Sequence, residues 1–130
     1  MILATLMALA AAAQEPEVDC DNAMAQFELN ACAYKEYERA DAAMNAQWKV
    51  TAARMKEIDA DFDRSQDNRP GYFDTLLAAQ RAWLTYRDQH CAGEGYTMRG
   101  GSAEPMVISG CQTQLTEART KQLKDLIEEY

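Results

Sequence analysis

FELNACAYKEYERADAAMNAQWKVTAARMKEIDADF, residues 27–62, is a stretch of 36 residues without a single Gly or Pro. Within it Phe27, Asn30, Tyr34, Tyr37, Asp41, Met44, Trp48, Thr51, Met55, Ile58 and Phe62 follow one another at intervals of three and four. That spacing places them on one face of an α-helix, because 3.6 residues complete a turn. A single helix is therefore predicted from about Gln26 to Arg64. At 1.5 Å per residue it would be about 57 Å long, which exceeds the diameter of a small globule and predicts an elongated molecule.

Downstream, Ser65 to Gly71 contains Asp67-Asn68-Arg69-Pro70-Gly71, a cluster of helix breakers and hence a turn. A second helix is predicted beyond it, with Phe73, Leu76, Leu77, Gln80, Trp83, Leu84, Arg87 and Cys91 on one side. Gly93 to Gly110 holds five glycines and Pro105, so it is expected to be a long loop. A last helix is predicted from near Thr113, turning Leu115, Ala118, Gln122, Leu123, Leu126 and Ile127 toward the others. No alternating strand pattern competes. The expected fold is all-α, a long antiparallel helical hairpin with a third, C-terminal helix.

Upstream, Met1 to Ala13 carries no charge, and Ala11-Ala12-Ala13 before Gln14 supplies the small residues that signal peptidase requires. No Lys or Arg precedes the apolar run, but residues 1–13 are still expected to be a signal peptide. They are too short for a membrane span, which needs roughly 20 apolar residues. Glu17-Val18-Asp19 before Cys20 is unlike a lipid-anchor site. The organisation expected is a signal peptide at 1–13, an N-terminal segment at 14–25 and a single helical domain at 26–130, with no membrane span after cleavage.

The four cysteines, Cys20, Cys32, Cys91 and Cys111, suit an exported chain, in which an even number usually means disulfides. Local pairing, Cys20–Cys32 and Cys91–Cys111, is the expected one of three possible arrangements. The formal net charge of −8 argues against nucleic-acid binding, which wants clustered Lys and Arg, and favours a cationic partner.

The motifs of catalysis and metal binding are missing. His90, the single histidine, adjoins Cys91, but helix neighbours point apart and a disulfide cysteine offers no thiolate. Asp59, Asp61, Asp63 and Asp67 lack the spacing and glycine of a calcium loop, and are expected to be a solvated acidic helix end. No catalytic residue, metal or cofactor is expected, and the protein is not expected to be an enzyme. Tyr34, Tyr37, Trp48, Trp83 and Tyr86 fall at core spacing.

Two groups of residues remain. Asp41, Asn45, Gln80, Arg87 and Arg119 are polar residues on or beside apolar faces, where an unpaired charge is costly. They are expected to form a buried polar network, with Asp41 facing Arg87 or Arg119. Tyr96, Met98, Arg99, Gly100, Gly101 and Ser102 lie in the glycine-rich segment that a Cys91–Cys111 bridge would tie at its base. Preorganised loops bind at lower entropic cost, so these six are the candidate partner-binding loop.

Several runs resemble one family. Ala40-Asp41, Met44-Asn45 and Trp48 are similar to the D-x-x-L-N-x-x-Y signature of the lysozyme inhibitor LprI-like N-terminal domain, with Met and Trp standing for the usual Leu and Tyr. Ala79-Gln80-Arg81-Ala82-Trp83, Tyr86-Arg87-Asp88 and Cys91 resemble its A-Q-R-x-W-x-x-Y-R-D-x-x-C stretch. Gly100-Gly101-Ser102 is similar to its Gly-Gly-Ser loop, and Cys111, Leu115-Thr116, Arg119-Thr120 and Leu123 to its closing helix. The resemblance spans about Cys20 to Leu126. It implies an all-helical, disulfide-bearing envelope domain, secreted or periplasmic, and a protein partner, with a lysozyme-type glycoside hydrolase the leading candidate. An acidic inhibitor would be steered toward a cationic hydrolase. The alternative is an envelope adaptor or immunity module without lysozyme activity.

Overall fold

The computed structural model describes residues 17–130; the expected signal peptide at 1–13 lies outside the described residues. Three helices form an up-down-up bundle: α1 (Gln26–Asp61), α2 (Tyr72–Gly95) and α3 (Glu104–Glu128). No strand occurs among the described residues. Asp41 and Asp59 of α1 reach Arg87 and Tyr72 of α2, so α1 and α2 are antiparallel. Gln26 and Thr51 reach Met106 and Leu123 of α3, so α3 runs parallel to α1 and packs along it more extensively than α2 does.

Both ends of α1 have a local cause. Before α1, the Glu28 carboxylate accepts the backbone N–H groups of Met24 at 3.1 Å and Ala25 at 3.3 Å, half of a capping box. At its other end α1 stops at Asp61, three residues before the expected Arg64. There Phe62 is extended, and the Asp63 carboxylate accepts the Ser65 N–H at 2.9 Å in a turn that competes with the helix. At 1.5 Å per residue, the 36 residues of α1 span about 54 Å.

The core sits in the middle of α1. Met44, Met55, Leu76 and Leu123 form its buried cluster, with Trp48, Ile58, Trp83 and Leu126 among the side chains packed against it. The predicted α1 stripe is buried only there: Met44 and Met55 are 1% and 2% exposed, but Phe27 and Tyr34 are 71% and 52% exposed. A stripe that repeats every seven residues drifts by about 20° per heptad around a straight helix, so its ends rotate out of the interface. Tyr86, also expected in the core, is exposed and stacks on His90 at 5.3 Å.

The third helix begins earlier than expected. Gly93 to Gly110 is not a long loop: α2 runs through Gly95, a 3-10 turn occupies Tyr96–Met98, and α3 begins at Glu104. Pro105 is in the first turn of α3, where its missing N–H costs nothing, and Glu104 brings negative charge to the helix N-terminus. The buried stripe of α3 is correspondingly different, with Ser109, Thr116 and Leu123 inside and Ala118 and Gln122 exposed.

Two disulfides staple the bundle, Cys20–Cys32 and Cys91–Cys111, with Cα separations of 5.7 Å and 5.4 Å. The first holds the N-terminal segment to α1, and the second joins α2 to α3. Among the described residues no cysteine is free, and no helix is long and apolar enough to cross a membrane.

Candidate functional site

One column of alternating rings and cations fills the space between the helices. The Arg87 guanidinium lies 5.2 Å from the Tyr37 ring centre and 5.3 Å from that of Trp83, and Arg119 lies 6.0 Å beyond Trp83. Arg87 Nη1 donates to Asp41 Oδ1 at 3.2 Å and to Thr116 Oγ1 at 3.4 Å, and its Nε donates to Asp88 Oδ1 at 2.9 Å. Burial opposes the Arg87 charge, but the Asp88 and Asp41 carboxylates outweigh it and raise the pKa. Burial also raises the Tyr37 phenol, against the lowering effect of Arg87.

The five residues expected to form a buried network fall into two groups. Asp41, Asn45 and Arg87 make one, with Asn45 Nδ2 3.3 Å from Asp41 Oδ2. Asn45, one turn after Asp41 on α1, is exposed, and the Asp41 side chain keeps 36% of its exposure. Gln80 and Arg119 make the other: Arg119 Nε donates to Gln80 Oε1 at 2.9 Å, and the Gln80 amide reaches Met44 Sδ at 3.6 Å. Arg119 is therefore not the partner of Asp41, and Trp83 stands between the two arginines. Burial alone pushes the Arg119 pKa down, with no carboxylate contact to offset it. The Asp88 carboxylate, which completes the Arg87 site from the adjacent position, carried no signal in the residue spacing.

At the far end of this column lies the α2–α3 corner. Tyr96 and Met98 are exposed large apolar side chains, and Arg99, Gly100, Gly101 and Ser102 are exposed beside them. The Arg99 guanidinium lies over the Tyr96 ring at 4.4 Å, a cation–π contact at the surface. Gly100 has φ +76°, a conformation that side chains disfavour. Its N–H donates to Glu104 Oε2 at 2.6 Å, and the Gly101 N–H donates to Met98 O at 2.8 Å. Asn30 of α1 donates to Ser102 O at 2.9 Å. Gly95 closes the corner, since a Cβ there would meet Ile108 Cγ1 at 2.5 Å. The corner is thus a tight connection anchored on three helices.

His90 faces Glu94 at 3.1 Å on the surface. Cys111 Sγ is near both, but it is bonded to Cys91 and has no thiolate to offer a metal.

The fold, the disulfides and the comparisons with known proteins agree on the class. Residues 20–123 match the family Lysozyme inhibitor LprI, and the chain belongs to that family. It is also 43% identical over 116 residues, 89% of this chain and 84% of the relative, to an uncharacterized protein of Rhizobium meliloti (strain 1021). No solved structure matches the chain.

Proposed function

We propose that the protein is an exported protein-binding domain that acts as a lysozyme inhibitor-like protein and presents its α2–α3 corner to the partner. One observation carries this reading: an exposed aromatic, Tyr96, and an exposed cation, Arg99, are held together on a corner fixed by Cys91–Cys111 and by the Asn30–Ser102 hydrogen bond. Tyr and Arg are the side chains that most often dominate binding energy, and a fixed corner loses little entropy on docking. Lysozyme-type hydrolases work through carboxylates in a cleft, to which an arginine can donate two hydrogen bonds. Membership of the LprI family supports the class of partner. The net charge of −8 favours approach to a cationic enzyme, and the disulfides suit an oxidising compartment, periplasmic or extracellular.

The test is a peptidoglycan lysis assay with a cationic lysozyme and the intact disulfide-bonded protein. Arg99→Glu is expected to change stability by less than about 0.5 kcal/mol, as exposed substitutions do. The same change should weaken inhibition at least tenfold, or about 1.4 kcal/mol. Full inhibition by Arg99→Glu would move the binding surface off the corner. No inhibition by the wild-type protein would favour the adaptor or immunity module.

A further inference from the structure

A cavity of about 640 Å³ opens at the end of the bundle away from the corner, between the α1–α2 turn and the last turns of α3. Met55, Phe62, Leu76 and Leu126 give it an apolar lining. Its aromatic wall is ordered by edge contacts, Phe62 on Tyr72 at 5.4 Å and Tyr72 on Tyr130 at 5.6 Å. Pockets of this size, mostly apolar with a few convergent polar groups, are the usual form of small-molecule sites.

Three of the polar groups on this wall are cations, in an acidic protein. Arg64, Arg69 and Arg119 all line the cavity, and Asp67 is the acidic side chain beside them. Asp67 is taken up by Arg69, whose Nε lies 2.9 Å and 3.0 Å from the two carboxylate oxygens. That contact, with a smaller contribution from the nearby Arg64 charge, holds the Asp67 pKa well below the usual carboxylate range. Arg64 instead donates to the Arg69 carbonyl oxygen. Arg119 donates to the amide oxygens of Gln80 and Gln122, at 2.9 Å and 3.1 Å. Both of these cations are held by neutral acceptors, and no carboxylate among the described residues forms an ion pair with either. Partial burial makes the Arg119 charge more costly still, so an anion that neutralised it would gain more there than at an open surface.

We propose that this cavity binds a small amphipathic carboxylate, its hydrocarbon body among Met55, Phe62, Leu76 and Leu126 and its head group between Arg119 and Arg64. A neutral ligand would satisfy the apolar lining alone. A wholly polar anion would satisfy the arginines alone and leave the rest of the cavity unfilled. The site is independent of the corner proposed for partner binding, since it lies at the opposite end of α2 and α3.

The experiment is isothermal titration of the intact, disulfide-bonded protein with decanoate, and with decanol as the neutral counterpart. The expected result is saturable binding of one decanoate per chain, at least tenfold tighter than decanol despite the protein's net charge of −8. Arg119→Gln and Arg64→Gln should each bring decanoate toward the affinity of decanol, while Arg119→Lys retains part of the preference. Because Arg119 also supports Gln80, a second variant guards against a folding defect. Ala79→Trp places a ring at the cavity mouth from an exposed position and leaves both arginines intact, and it should abolish decanoate binding. The proposal is overturned by the absence of saturable decanoate binding, by decanol binding equally well, or by decanoate binding that survives Ala79→Trp.

Discussion

The Asp59 carboxylate of α1 caps α2: its Oδ1 accepts the Tyr72 N–H at 2.7 Å and its Oδ2 accepts the Phe73 N–H at 3.0 Å. The residue at the α2 N-cap is Gly71, which has no side chain to do this. An anion at a helix N-terminus satisfies orphan donors and complements the helix dipole. Asp59→Ala should therefore destabilise the protein by about 1–2 kcal/mol, the range found for lost N-caps. Asp61→Ala, on the same helix end, should change stability by less than about 0.5 kcal/mol. Urea denaturation of the two variants checks this, and equal effects would remove the capping role.

Arg87 is nearly buried, with 6% side-chain exposure, but it keeps Asp88 when Asp41 is removed. Loss of Asp41 therefore does not strand an isolated charge. Asp41→Ala is expected to cost about 1–2 kcal/mol, below the 3–5 kcal/mol typical of breaking a fully buried pair. Arg87→Ala should cost more, about 3 kcal/mol, because it also removes the guanidinium held against the Tyr37 and Trp83 rings. A double-mutant cycle read by chemical denaturation gives the coupling, and additivity of the two changes would show that the ion pair contributes nothing.

Replacing both Cys91 and Cys111 by Ser opens a loop of 20 residues in sequence separation. The chain-entropy relation puts the loss at about 3 kcal/mol. Cys20–Cys32 fastens the segment before α1, so its removal should loosen that segment and lower the global midpoint less. Thermal melts of the two double variants, each compared with the wild type, test the order.

Tyr37 sets a pH dependence. Its phenol pKa is raised by burial above the ordinary 10.0, so the folded state holds the neutral phenol more tightly than the unfolded chain does. The stability this contributes is fully present below the unfolded pKa and is lost as pH rises through the folded one. Denaturation midpoints measured above pH 10.0 should fall more steeply for the wild type than for Tyr37→Phe. Parallel curves would mean that the phenol titrates as it does in the unfolded chain.

The helical class, the hairpin turn and the disulfide pairing were legible in the sequence, because each depends on residues close together in the chain. The uninterrupted run from Gln26, the breaker cluster before Gly71 and the two local cysteine pairs suffice for them. What only the tertiary structure decided was which residues of those helices meet. The α1 stripe turns away from the core at Phe27 and Tyr34, since helical drift accumulates over five heptads and only packing decides which part is covered. Asp59 reads as a solvated acid, because the amides it caps belong to a helix on the far side of the turn. Asp41 was expected to face Arg87 or Arg119; the structure gives it Arg87, and Arg119 pairs with Gln80 on the other side of Trp83. The glycines from Gly93 to Gly110 suggested a loop, yet Pro105 and Glu104 start α3 among them. Local propensity disfavoured a helix there, and the packing of α3 against α1, together with the Cys91–Cys111 bridge, overrode it.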